Sequence, residues 1–230
     1  MVLMRRCSIA LLVLPLALTA CGGSSKKVDP VADLAVAKGA VLTRADLPGY
    51  TGTPHSKSDD IPASVKKDFA ACAKAPTTLF DDTPGAQKAD SDDFAKGDAS
   101  VSVSITLDPK KSDINDKWDQ FSKPGVEPCL VKLFEAAIKQ GSGDTPGVSY
   151  GPTTVDRFEP RIGDRSVGYA VAVPAKGPGA SAVFYLDLVL VPRDRAGMTF
   201  SFSNVSAPFD RSTEISLMQK VYDRIGDNAS

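Results

Sequence analysis

The sequence predicts an α+β sandwich: a twisted, mainly antiparallel sheet that ends in a C-terminal β-meander and is covered by helices. Three observations carry this expectation. The stretch ASVSVSITL (99–107) alternates strictly, with Val101, Val103, Ile105 and Leu107 on one side and Ser100, Ser102, Ser104 and Thr106 on the other. That is the period-two pattern of a half-buried, antiparallel strand. Farther on, SVGYAVAVP, SAVFYLDLVLVP and GMTFSFSNVS follow one another through the short turns AKGPGA and PRDRAG, as the strands of a meander do. In the middle stretch Phe184, Leu186, Leu188 and Leu190 alternate with Val183, Tyr185, Val189 and Val191. Such a strand is apolar on both sides, and both sides need cover.

The chain opens with Arg5-Arg6 and a ten-residue apolar run, Ile9 to Leu18, broken only by Pro15. At 1.5 Å per residue the run spans about 15 Å, half of a bilayer's hydrocarbon core, which suits a secretory signal and not a resident span. Leu18-Thr19-Ala20-Cys21 then resembles the lipobox of bacterial lipoproteins. The resemblance implies diacylglyceryl transfer to the Cys21 thiol, cleavage before it, and anchoring by acyl chains on the new N-terminus. The expected organisation is a signal over 1–20, a lipidated N-terminus and spacer over 21–40, and a single α+β domain over 41–230.

Within the spacer, GGSSKKVDP (22–30) is flexible in composition, and the residues after it leave helix and strand open. Pro62 with Ile61, Val65, Phe69 and Cys72 at helical spacing predicts a helix, with Asp60 as its cap. Residues 76–93 read as an acidic, turn-rich loop. Ile114, Trp118 and Phe121 share one helical face. Leu130, Leu133, Phe134, Ala137 and Ile138 form the stripe of a second helix, ended by Gly141. TTVDRFEP reads as a strand. The last helix, 210–225, carries Ile215, Met218, Val221, Tyr222 and Ile225 on one face.

The 230 residues hold 27 basic and 28 acidic side chains. Loss of Arg5 and Arg6 with the signal leaves 25 against 28, a net charge of −3, with no basic run to bind nucleic acid. Of the four cysteines, Cys7 leaves with the signal and Cys21 takes the lipid. Cys72 and Cys129 remain, and in an exported chain they suggest one disulfide, the alternative being two buried thiols.

No motif points to catalysis. Gly147-Val148-Ser149-Tyr150-Gly151 spells G-x-S-x-G, but a nucleophile elbow needs a strand before its serine and a helix after it. Here a loop precedes and TTVDRF follows, and the only histidine, His55, lies upstream in a turn. One histidine with no spare cysteine pair assembles no usual zinc site. Asp59-Asp60, Asp81-Asp82 and Asp92-Asp93 lack the spacing of a calcium loop, so no metal and no cofactor are expected.

Asp187 interrupts an apolar strand and needs a partner if covered. The many arginines nearby in sequence, Arg157, Arg161 and Arg165 among them, are the candidates for a structural ion pair, and a ligand-facing role is the alternative. Tyr169, Tyr185, Phe200 and Phe202 are core or the lining of a ligand cavity.

The lipobox, the stretch GDRSVGYAVAVP…AVFYLDLVLVP…GMTFSFSN and the closing ISLMQKVYDRI together resemble actinobacterial LpqN-type lipoproteins, whose fold is PsbP/Mog1-like. The cysteine pair is similar to the disulfide-bonded extracellular sensor domains of PknH-type kinases. The resemblance implies a non-enzymatic protein on the outer face of the cell membrane that binds an envelope component or a partner protein. A lipid or glycolipid carrier with an apolar cavity is the alternative, and a sensor-type module a further one. Cys21→Ala is expected to stay unlipidated and to leave the membrane fraction, which palmitate labelling and fractionation check.

Overall fold

A computed structural model describes residues 28–56, 61–141, 147–205 and 207–226. The signal, Cys21 and the proposed cap Asp60 lie outside these residues. Among the described residues there are five α-helices and nine strands in one open, antiparallel sheet. The chain order is α1 (Pro30–Ala40), β1 (Thr51–Thr53), α2 (Ala63–Ala73), a 3-10 turn (Thr77–Phe80), β2 (Gln87–Asp90), β3 (Asp93–Lys96) and β4 (Ala99–Leu107). Then come α3 (Lys111–Ser122), α4 (Glu127–Gly141), β5 (Ser149–Tyr150), β6 (Thr154–Phe158), β7 (Val167–Gly177), β8 (Ala180–Arg193), β9 (Ala196–Val205) and α5 (Arg211–Ile225).

The sheet runs β1-β3-β4-β9-β8-β7-β5, with β2 on β4 and β6 on β7. Its spine is the expected meander, β7-β8-β9, beside the alternating strand β4. Two-residue turns join the meander. Gly179 holds φ +77° after Pro178, and Asp194 holds φ +50°, a left-handed conformation that aspartate tolerates better than most side chains.

Alternation sends Val101, Val103, Ile105, Met198, Phe200, Phe202, Val189 and Val191 to one face, where they pack under α1 and α5. The opposite face carries Val167 and Tyr169, packed under α2, α4 and the 3-10 turn through Val65, Phe69, Leu79, Leu130 and Leu133. The Phe200 and Phe202 rings are parallel at 6.1 Å within the first core, while Tyr169 belongs to the second. The four aromatics grouped on sequence therefore divide between faces.

Three differences from the sequence reading have physical causes. Residues 30–40, assigned to the spacer, form α1, capped by Asp29, whose Oδ1 accepts from the Val31 and Ala32 amides. Ala37 and Ala40 are fully buried, and Arg195 grips Asp33 of α1 with two hydrogen bonds of 2.8 and 3.0 Å. The folded unit thus includes α1, ahead of the expected start at residue 41. Residues 76–93 hold the 3-10 turn and β2, because Leu79 and Ala89 are buried despite their polar neighbours. On α5 the buried row is Glu214, Leu217, Met218, Val221 and Ile225, whereas Ile215 is 40% exposed. Helix α2 starts with Pro62 at its cap position and no side-chain cap bond.

Close approach crowds Gly52, Gly163, Gly168 and Gly197, the last two in the long strands of the meander. A Cβ on Gly168 would lie 2.3 Å from the Phe158 ring, which covers that gap in β7, and a Cβ on Gly197 would lie 2.8 Å from Ile114 of α3.

The C-terminal end of α5 is tied to the loop after α1. Arg224 donates to both Asp46 oxygens, at 2.5 and 2.9 Å, and to the Val41 carbonyl at 3.1 Å. The hydrogen bonds from Arg224 lower the Asp46 pKa to about 2, below an ordinary aspartate near 3.9. A folded-state pKa below the unfolded one adds stability that is present above the unfolded value and lost as pH falls through the folded value. Asp46→Asn is expected to be less stable than wild type at pH 7, with the difference closing between about pH 4 and 2. Urea midpoints measured across that range check this.

Candidate functional site

The face that carries Tyr169 is only partly covered. Over β7 and the near side of β8 lie α2 and α4, with α3 alongside, and beyond them a cleft of about 590 Å³ opens between helices and sheet. Its floor is set by strand register. Tyr169 pairs with Leu188, Leu188 with Ser201, and Ser201 with Ser102. One rung along, Val167, Leu190, Thr199 and Ser104 repeat the order. The floor therefore passes from buried core to leucine to hydroxyl over four neighbouring strands.

The roof is Ile114, Trp118 and Phe121 of α3, Leu130, Leu133 and Phe134 of α4, and Leu79 and Phe80 of the 3-10 turn. None of Ser102, Ser104, Thr106, Thr199 and Ser201 makes a side-chain hydrogen bond among the described residues. By contrast, Ser100 and Ser203, one rung outside the cleft, bond to each other at 2.9 Å. Trp118 is the only tryptophan of the chain. Its indole N–H is buried without an acceptor, and the Arg165 guanidinium lies 4.8 Å from its ring centroid.

Charges stand at the rim, and most are tied to the protein. Lys117 reaches the fully buried Asp108 at 3.4 Å, Lys88 reaches Asp90 at 3.5 Å, and His55 Nδ1 lies 2.9 Å from Asp93. Lys66, Asp81 and Asp82 complete the ring of charged residues. The balance favours no strongly charged ligand.

The residues singled out on sequence stand elsewhere. Tyr169 is fully buried at the edge of the cleft floor, its hydroxyl donating to the Phe121 carbonyl of α3, and burial pushes its pKa up to about 12. It fastens the roof to the sheet. Tyr185 and Asp187 point to the opposite face of β8, away from the cleft, in register with Asn204 and Phe202. Asp187 does form an ion pair, but with Arg211 of α5 at 3.3 Å, and not with Arg157, Arg161 or Arg165. Arg157 instead donates to the Ser122 carbonyl at 2.7 Å and Arg165 to Asn115. Sequence proximity misled because β8 lies under α5, more than twenty residues downstream.

Ser149 sits in the exposed edge strand β5, whereas His55 follows β1 at the other edge of the sheet. The G-x-S-x-G string therefore assembles no nucleophile and base. Among the described residues no three His, Cys, Asp or Glu side chains are grouped to hold a metal ion, and no helix is long and apolar enough to cross a membrane.

Sequence reasoning missed Glu214, the cleft hydroxyls as a set, and the apolar face of α3 as the roof over them. Glu214 was legible as an acid at i−4 and i−7 from Met218 and Val221. The hydroxyls were visible as alternation but read as solvated, since nothing local says that α3 stands over them.

No model of a known protein family matches the chain, and no curated protein matches it.

Cys72 of α2 and Cys129 of α4 are bonded, with Cα atoms 5.6 Å apart. The bridge ties the two helices that cover this side of the sheet. It closes a loop with a sequence separation of 57, which the chain-entropy model values at about 4 kcal/mol. A Cys72→Ser, Cys129→Ser double variant is expected to lose stability up to that size. Guanidinium unfolding of the variant and of wild type, with and without reductant, measures the loss.

Proposed function

We propose that this chain is a lipid-anchored protein of the outer membrane face whose domain binds an amphipathic small molecule, one apolar chain with an uncharged polar head, without converting it. The observation that carries the reading is the floor of the cleft, which changes from leucine to unpaired hydroxyl between adjacent strands. An acyl chain matches Leu186, Leu188 and Leu190 below and the α3 and α4 side chains above. A polar head matches Ser102, Ser104, Thr106, Thr199 and Ser201, each able to donate and accept. The volume falls within the range of small-molecule sites, which are mostly apolar with a few convergent polar groups.

The membrane location rests on the lipobox at Leu18 to Cys21. The resemblance to LpqN-type lipoproteins implies binding of an envelope component without conversion, and the carrier is the alternative that the cleft favours. It is favoured over docking of a partner protein because the cleft is concave and enclosed by helices on one side.

Trp118 provides the readout, being the only indole and lining the cleft. Titration of the mature protein with an alkyl glycoside below its micelle concentration is expected to change its emission saturably, and a free fatty acid of equal chain length, with its charged head, is expected to bind more weakly. Leu188→Asp places a charge on the apolar floor and is expected to weaken binding at least tenfold, about 1.4 kcal/mol or more. Phe134→Ala, on the roof, is expected to weaken it less. Flat titrations with both probes overturn the reading.

A further inference from the structure

The face opposite the cleft holds a group of charges that the binding reading does not use. Asp187 of β8 and Glu214 of α5 are 6% and 0% exposed, and among the described residues one cation, Arg211, reaches both. Its guanidinium lies 2.6 Å from Glu214 Oε2 and 3.3 Å from Asp187 Oδ2, with its flat face 3.7 Å from the Phe158 ring centroid. Glu214 Oε1 is buried and accepts from no donor among the described residues. Two buried carboxylates against one guanidinium leave one negative charge uncompensated, and a buried uncompensated charge is expensive. A proton on one carboxyl removes it.

We propose that α5 is held on the sheet by a proton shared between Glu214 and Asp187, so that the helix is a latch which alkali loosens. The device is independent of the cleft and of what the cleft binds. Glu214 belongs to the first turn of α5, just ahead of Leu217, Met218, Val221 and Ile225, which close the core beneath it. Ionisation of the second carboxyl repels the helix start from β8 at the point where the apolar row begins. Burial first, and then the neighbouring Asp187 carboxyl, hold the Glu214 pKa well above the usual carboxyl range, against the opposing pull of Arg211.

Other ionisable groups near this corner are Asp210 at the α5 cap, Asp156 of β6 in the same rung as Asp187, and Tyr185 of β8 on the same face. Asp210 is fully exposed, and its hydrogen bonds from Ser212 and Thr213 hold its pKa near 2. It is therefore already ionised through the range concerned. Asp156 is exposed on β6.

The sign follows from the raised folded-state pKa. Opening of α5 releases a proton wherever pH lies between the ordinary glutamate value and the folded one, so the latch weakens as pH rises. Amide hydrogen exchange of α5 tests this on the full mature chain between pH 6 and 8, after correction for intrinsic exchange chemistry. In wild type the opening equilibrium of the first α5 turns is expected to rise about tenfold per pH unit, one proton per opening. Glu214→Gln is expected to flatten that dependence. Should that variant fail to fold, Asp187→Asn leaves one carboxylate for one guanidinium and is expected to flatten it as well. A wild-type equilibrium that does not change with pH overturns the latch, and so does a variant that keeps the wild-type slope.

Discussion

Strand β8 is long, central and apolar on both faces, and neither face can be left to water. It pairs with β7 over Ala180–Leu190 and with β9 over Phe184–Arg193, so its central part has both edges satisfied within the sheet. Its faces are satisfied only by helices. Val189 and Val191 go under α1 and α5, and Leu190 joins the cluster beneath α4. The two-layer cover of the whole domain follows from this strand, because a sheet with one dry face needs one helical layer and this one needs two.

The two layers are built to different degrees of closure. On the α1/α5 side the packing is continuous from Leu42 to Ile225 through the middle of the sheet. On the other side the helices are drawn toward β7 by the Cys72–Cys129 bridge and by the bond from the Tyr169 hydroxyl to the Phe121 carbonyl. Helix α3 reaches back over β8 and β9, close enough that a Cβ at Gly197 would displace the end of the Ile114 side chain. What stays open is the strip where β4 and β9 present serine and threonine. Hydroxyls tolerate solvent and leucines do not, so the cleft has formed where its floor changes character. The same change of character is what recommends it as a site for an amphipathic molecule.

Three arginines fasten the layer on the closed side. Arg195 holds Asp33 of α1, Arg224 holds Asp46 after α1, and Arg211 holds Asp187 and Glu214. Each carboxylate is buried or nearly so, and the planar fork of arginine can satisfy two oxygens at once. The first two sites balance one cation with one anion. The third does not, and that imbalance is what makes the start of α5 sensitive to a proton.

The strict alternation of residues 99–107, the three strands of the meander and the stripes on α3 and α4 were legible because side-chain periodicity is a local property of the backbone. The cysteine pair was legible by elimination. The chain alone therefore determined the kind of secondary structure, the antiparallel sheet and the need for cover on both sides. It did not determine which helix supplies the cover or how completely. That Asp187 meets Arg211, that Glu214 lies buried in an apolar row, that residues 30–40 belong to the core, and that five hydroxyls floor a cleft depend on segments far apart in sequence. Only the packing of helices on the sheet decided them, because periodicity marks which face of an element is buried and not which distant element covers it.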